Sequence, residues 1–134
     1  MSSFNLTIGI PAMALAGSFV VGMVLPEPDP IEVHDLTYTG GQITQDRTIV
    51  SDGELFYADW LAEIVDLATG EVVCRGSGHF PYPAGRKAVK MTVDVWTGDE
   101  GCLERLDPLR AYYPRAVWFW GDDQTSHSGE AFYP

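Results

Sequence analysis

The chain has 134 residues, and its 8 Lys and Arg against 19 Asp and Glu give a formal net charge of −11 at pH 7. This length suits one small domain with a single hydrophobic core and is short for two. Because nucleic acids and anionic lipid headgroups are bound through clustered Lys and Arg, the charge argues against both as partners of the polar part of the chain.

An apolar segment, LTIGIPAMALAGSFVVGMVL, occupies residues 6–25 without a single charged residue. As an α-helix it would extend about 30 Å, the thickness of a bilayer's hydrocarbon core. A helix in a soluble core would carry a polar stripe, and here only Thr7 and Ser18 offer polar side chains. We therefore predict an N-terminal transmembrane helix over residues 1–25 that contacts membrane lipid through residues 6–25.

Cleavage as a secretion signal is the main alternative for this segment. The N-terminal MSSFN carries no Lys or Arg, and the end of the segment, VVGMVLPEP, lacks an A-x-A-like cleavage site. We therefore expect a single-pass membrane protein that keeps its anchor. Burial of the segment in a soluble core is the third alternative.

The flanks of the segment bear on its orientation. The positive-inside rule gives no direction, because no Lys or Arg lies near either end. The following PEPDPIEVHD carries four carboxylates, and the whole chain has two cysteines. Both features favour an extracytoplasmic location, periplasmic or extracellular, for the C-terminal part. Residues 26–33 are predicted to form a Pro-rich acidic spacer before a domain over residues 34–134.

Small residues recur at every fourth position of the predicted helix, at Ala14, Ser18 and Gly22. Small side chains at this spacing let a second helix approach closely. This face is therefore a candidate for packing against another membrane protein. The alternative is the ordinary small-residue content of a membrane helix.

From Ile31 onward, strand-like runs alternate with turn residues. IEVHDLTYT and QITQDRTIV flank a Gly-Gly turn, and EVVCRGSG returns after ATGE as the partner of LFYADWLAEIVDL. That longest run alternates apolar and polar positions from Phe56 to Ile64, which predicts a strand with one buried face. KAVKMTVDVW alternates from Val89 to Val95, HFPYPAGR is predicted as an edge or loop, and RAVWFWG is the last strong strand.

About seven strands joined by short turns, with no long amphipathic helix among them, predict a mainly β fold in which a small antiparallel β-sandwich follows the membrane helix, with a small barrel as the alternative. Its architecture resembles the immunoglobulin-like sandwich in strand number and in one cysteine pair. The order Cys, Trp, Cys of that architecture is met by Cys74, Trp96 and Cys102, with Trp96 closer than usual to the second cysteine.

The two cysteines, Cys74 and Cys102, are predicted to form a disulfide that clips a loop to the sheet. Two free buried thiols, a metal site and a catalytic thiol are the alternatives. Metal sites use short C-x₂₋₄-C spacing or several histidines nearby, which this pair lacks. We expect neither a metal nor a cofactor.

Catalytic signals are weak along the chain. Ser77, His79 and Asp99 supply the residue types of a hydrolase triad, but no G-x-S-x-G turn accompanies them. The acidic loops TGDEG and WGDDQTS do not match the EF-hand calcium loop. We therefore predict that the protein is not an enzyme.

Aromatic residues are concentrated in YYPRAVWFW. In a strand, Trp118 and Trp120 point one way and Phe119 the other, so one side is a candidate surface for contact with protein, glycan or the membrane interface. The alternative is that the sandwich buries both faces.

Two functions are consistent with this pattern. The first is a non-enzymatic, membrane-anchored interaction or structural module, either an accessory subunit of a membrane or envelope complex or a phage-type or virion membrane protein. The alternative is a membrane-tethered β-sandwich that binds carbohydrate or another ligand.

Overall fold

A computed structural model describes residues 29–134 of the chain. The predicted membrane helix over residues 1–25, with its candidate packing residues Ala14, Ser18 and Gly22, lies outside the described residues, as does the start of the predicted spacer. Within residues 29–134, neither helix has the length and hydrophobicity needed to cross a membrane.

The described residues form two antiparallel sheets, which confirms the predicted mainly β sandwich. Seven strands and two short helices follow in chain order: β1 (Ile31–Thr39), β2 (Gln42–Ile49), β3 (Phe56–Asp66), β4 (Val72–Tyr82), β5 (Gly85–Thr92), α1 (Val93–Thr97), α2 (Cys102–Arg105), β6 (Tyr112–Trp120) and β7 (Asp123–Ser128). One sheet has the order β1-β2-β5 and the other β4-β3-β6-β7. β1 begins at Ile31, inside the segment that the sequence analysis assigns to the spacer.

The core lies between the sheets and is built by strands with one apolar face. On β3, Ala58, Ala62 and Ile64 are buried on the predicted core face, and Trp60 between them is half-buried. On the other face Tyr57 is exposed, whereas Glu63 is buried. On β2 the buried apolar residues are Ile43 and Ile49. Alternation places successive side chains on opposite faces, so one row from each sheet forms a shared core.

The prediction of continuous strand alternation from Val89 to Val95 is wrong beyond Thr92. Residues Val93–Thr97 form α1. The Thr92 hydroxyl accepts a hydrogen bond from the Val95 N–H at 3.3 Å, and Gly98 ends the helix in the left-handed conformation with φ of 72°. A side-chain cap at one end and a glycine cap at the other override the strand pattern between them.

Two strand boundaries differ from the sequence pattern. β4 continues beyond the predicted return strand, through His79 and Phe80 to Tyr82. It is an edge strand, which is one of the two predicted alternatives for HFPYPAGR, so Pro81 interrupts no central ladder. β7 follows the strand that the sequence analysis takes as the last one. Its sequence, DQTSHS, is polar throughout, and a polar edge strand has no apolar alternation by which to be recognised.

The predicted disulfide is confirmed. Cys74 of β4 and Cys102 of α2 are joined with an S–S distance of 2.06 Å, and both residues are buried. The bridge fastens the segment between β5 and β6 to the edge of the four-stranded sheet.

We expect the paired change Cys74→Ala and Cys102→Ala to lower the free energy of unfolding. The bridge spans a sequence separation of 28, and chain-entropy arguments equate a loop of this size with about 3.6 kcal/mol. Urea denaturation of the oxidised wild type, the reduced wild type and the variant measures the difference. A loss below about 1 kcal/mol contradicts the prediction.

Three aspartates form ion pairs with arginines. The pairs are Asp46 with Arg86, Asp66 with Arg110, and Asp99 with Arg105. In each pair the hydrogen bond from the arginine is the largest effect that lowers the pKa of the aspartate below its ordinary value.

These lowered pKa values predict a loss of stability in acid. Below about pH 4, the usual aspartate pKa, the unfolded chain binds protons that the folded carboxylates do not yet bind, so unfolding becomes more favourable as the pH falls. Asp66→Asn should weaken this dependence, because its amide oxygen still accepts from the N–H groups of Ala68 and Thr69 but does not titrate. Urea midpoints at about pH 7, 5 and 3 measure the effect, and an unchanged slope in Asp66→Asn contradicts it.

Candidate functional site

The sandwich encloses a cavity of about 350 Å³ between its two sheets. Strands β2 and β5 line one side, strands β3, β4 and β6 line the other, and α1 contributes Val95 and Trp96. The exposed side chains of Phe80 on β4 and Lys87 on β5 mark where it opens. β4 and β5 are edge strands of different sheets, so no backbone ladder closes this side of the sandwich. The volume lies within the range of small-molecule pockets, about 300–1,000 Å³.

Small residues on the four-stranded sheet leave this space open. Ala62 of β3 lies directly opposite Ala116 of β6 in the strand register, and both line the cavity. On β4, Gly78 makes room for the Trp60 ring, because a Cβ at this position would lie 2.8 Å from the ring atoms. The small side chains of Ala62 and Ala116 therefore leave part of the space between the sheets unfilled, and Gly78 sets the position of the Trp60 ring in the wall.

Aromatic side chains form most of the wall opposite β2. Trp60, Phe80, Tyr82 and Trp118 line the cavity, and Val89 and Met91 of β5 face them. The Trp118 indole N–H donates to the Tyr82 hydroxyl at 2.9 Å, and the Trp96 indole N–H donates to the Gln45 side-chain oxygen at 3.0 Å. These two bonds hold the rings in place and satisfy the indole N–H groups of Trp96 and Trp118.

Arg47 brings a charge into this apolar site. It lies on the inner face of β2, in phase with Ile43 and Ile49, and is only 6% exposed. Its guanidinium carbon lies 4.9 Å from the centre of the Tyr82 ring, a cation–π contact. Its Nε atom is buried without a hydrogen-bond partner. Burial lowers the pKa of Arg47 from its ordinary value, but an arginine this basic stays charged at neutral pH.

Every other arginine forms an ion pair with a carboxylate of the described residues, whereas Arg47 forms none with them. Lys87 is the residue directly opposite Arg47 in the β2–β5 register, and it also lines the cavity. The cavity therefore carries two cations in a domain that is otherwise strongly acidic.

The structure separates the three aromatic residues predicted as a contact surface. Trp118 is 2% exposed and belongs to the cavity wall. Trp120 is half-buried on the same face and meets Phe56 edge to face at 5.4 Å. Phe119 points to the outer face and is 37% exposed.

Gln45, Arg47, Trp60 and Tyr82 are not among the site residues predicted from the sequence. A signal for the first two is present in QITQDRTI, where Ile43, Gln45, Arg47 and Ile49 share one face. Two polar residues in the middle of an apolar row indicate that the row lines something other than a dry core.

The residues considered for chemistry do not form a catalytic triad. His79 Nδ1 lies 2.8 Å from an oxygen of Asp59, whereas Asp99 accepts from Arg105 Nη2 at 2.6 Å. No group of three His, Cys, Asp or Glu side chains within residues 29–134 is arranged to hold a metal ion.

No protein-family model matches the chain, and no curated protein sequence matches it.

We expect Arg47→Met to stabilise the protein. The methionine keeps an apolar contact with the Tyr82 ring and removes a buried charge whose Nε lacks an acceptor, which should raise the free energy of unfolding by about 1 kcal/mol. Arg115→Met is the matched control of opposite sign, because Arg115 Nε donates to the buried carboxylate of Glu63 at 2.8 Å. Urea denaturation measures both, and destabilisation by Arg47→Met contradicts the prediction.

Proposed function

We propose that this domain is a non-enzymatic ligand-binding β-sandwich that takes a small, largely apolar molecule into the cavity between its sheets. The observation that carries the proposal is the open, aromatic-walled cavity of about 350 Å³ with a buried arginine in its wall. Protein interiors are packed as densely as organic crystals, and a cavity of this size that persists beside a buried charge is expected at a binding site.

The immunoglobulin-like architecture belongs to the same proposal. Strands β1-β2-β5 and β3-β6-β7 follow the order of the two sheets in that architecture. The Tyr112 hydroxyl, at the start of β6, accepts a hydrogen bond from the Asp107 N–H at 2.8 Å, which is the pattern of the tyrosine corner. β4 pairs with β3 rather than β5. This pairing leaves β4 and β5 as facing edges, between which the cavity opens.

Enclosure favours a cavity ligand over a glycan bound on the outer surface. Stacking of a sugar needs an accessible ring face, and Trp118, the most central of the predicted contact residues, is turned into the cavity wall. Phe119 on the outer face remains available for a separate contact.

The membrane tether stays a prediction of the sequence. In this proposal residues 1–25 anchor the binding domain, and the domain is extracytoplasmic, either periplasmic or extracellular. The interaction-module alternative depends on the helix face formed by Ala14, Ser18 and Gly22. Since that face lies outside the described residues, ligand binding is the function better supported by geometry.

Binding of a neutral, polarity-sensitive fluorophore tests the proposal. We expect 1-aminoanthracene to bind the wild-type protein with a blue-shifted emission. Val89→Trp should weaken binding by at least about tenfold, the loss of about 1.4 kcal/mol of contact energy, because the new ring occupies the cavity.

Ala88→Trp is the matched control. Ala88 is the preceding residue of β5, and its exposed side chain points away from the cavity. This variant should bind the fluorophore like the wild type. Absence of wild-type binding, or equal binding by Val89→Trp and Ala88→Trp, would falsify the proposed function. Far-UV circular dichroism confirms that both variants are folded.

A further inference from the structure

We propose that the ligand is an amphipathic monocarboxylate, with its carboxylate paired to Arg47 and its apolar body against the aromatic wall of the cavity. This inference rests on the proposed function and adds the chemical class of the ligand.

Arg47 lacks the carboxylate partner that a buried arginine needs. A buried guanidinium is stable in a protein when a carboxylate or another acceptor satisfies its N–H groups. The chain has 19 Asp and Glu for 8 Lys and Arg, so carboxylates are abundant. Even so, Arg47 Nε is buried without an acceptor, and within residues 29–134 no carboxylate pairs with this side chain. A ligand carboxylate that reaches the guanidinium from the cavity would supply the counter-charge that the described residues do not provide.

Two further groups near Arg47 also suit an anionic ligand. The Tyr82 ring lies against the guanidinium, and its hydroxyl accepts from Trp118, which leaves the hydroxyl proton for an acceptor in the cavity. Burial raises the pKa of Tyr82, so this hydroxyl remains a donor at neutral pH. Lys87, across from Arg47 on β5, adds a second cation at the exposed part of the lining. The Arg47 guanidinium, the Tyr82 hydroxyl and the Lys87 ammonium group all favour an anion.

The geometry and charge of the guanidinium favour a carboxylate with one negative charge. A guanidinium presents parallel N–H donors that match the two oxygens of a carboxylate. One buried cation neutralises one buried negative charge, and Lys87 is exposed and therefore largely solvated. A doubly charged phosphate would keep one charge uncompensated in a low-dielectric site. The net charge of −11 also disfavours the more highly charged anion.

The rest of the cavity lining suits an apolar ligand body. Apart from Arg47, Gln45, Lys87 and Tyr82, the lining residues are tryptophan, phenylalanine, leucine, valine, methionine and alanine. These groups offer contact area to an alkyl chain or an aromatic ring and few further polar partners. The same chemistry is found in a medium-chain fatty acid and in an aryl carboxylic acid, so the experiment includes both.

Isothermal titration calorimetry with acid and ester pairs tests the inference. The probes are decanoate and methyl decanoate, and 2-naphthoate and methyl 2-naphthoate. We expect at least one acid to bind the wild type at least about tenfold more tightly than its own ester, because the ester removes the charge that Arg47 binds. The pair that shows this preference identifies the alkyl or the aryl class.

Arg47→Gln should abolish the preference for the acid while the ester still binds. Arg86→Gln is the matched control, because it removes the same charge from the three-stranded sheet at a residue that pairs with Asp46 and does not line the cavity. This control should retain the preference. Lys87→Gln should reduce it partly, and the reduction should become smaller at high salt.

The outcomes separate this inference from the proposed function. If 1-aminoanthracene binds but both acids bind no better than their esters, the carboxylate assignment is wrong and the cavity remains a binding site. Retention of the acid preference by Arg47→Gln also overturns the assignment. If the fluorophore, the acids and the esters all fail to bind the wild type, the proposed function and this inference are both wrong.

Discussion

A permanent positive charge on the inner face of β2 is the constraint on which the rest of the site depends. Strand geometry places the Arg47 side chain on the inner face of β2, because Ile43 and Ile49 on the same face are buried in the core. An arginine cannot escape this position by losing its proton, as a lysine or histidine would. The surroundings must therefore accommodate the charge, and they do so with an aromatic face at Tyr82 and an open cavity.

Glu63, on the outer face of β3, is a buried charge whose partners lie within the protein. Glu63 is 1% exposed, and on the neighbouring strands Arg75 and Arg115 are its partners in the strand register. Both guanidinium groups donate to its carboxylate at 2.8 Å through their Nε atoms. Charge and hydrogen bonds are thus satisfied within the protein. The contrast with Arg47 indicates that its incomplete set of partners is specific to the cavity.

The sequence predicted those parts of the fold that depend on local alternation and on covalent pairing. β3 and the Cys74–Cys102 bridge are confirmed because apolar periodicity and cysteine content are visible in one dimension. α1 was missed because a capping threonine and a glycine outweigh four alternating residues. The cavity was missed for a different reason. The cavity depends on the position of β4 and β5 as facing edges and on the position of Ala62 opposite Ala116. Sequence spacing predicts neither of these two arrangements.

The elements around the cavity also bear on the proposed binding function. The disulfide ties α2 to β4, and the Trp96–Gln45 bond ties α1 to β2, so the helical segment is fastened to both sheets beside the cavity. A site fixed in this way loses little freedom when a ligand enters, which favours affinity. The lining supplies two cations, hydrogen-bond donors and aromatic rings, which are the groups that the proposed ligand requires. In the proposed function, the preorganised cation in this apolar cavity selects an anionic amphiphile.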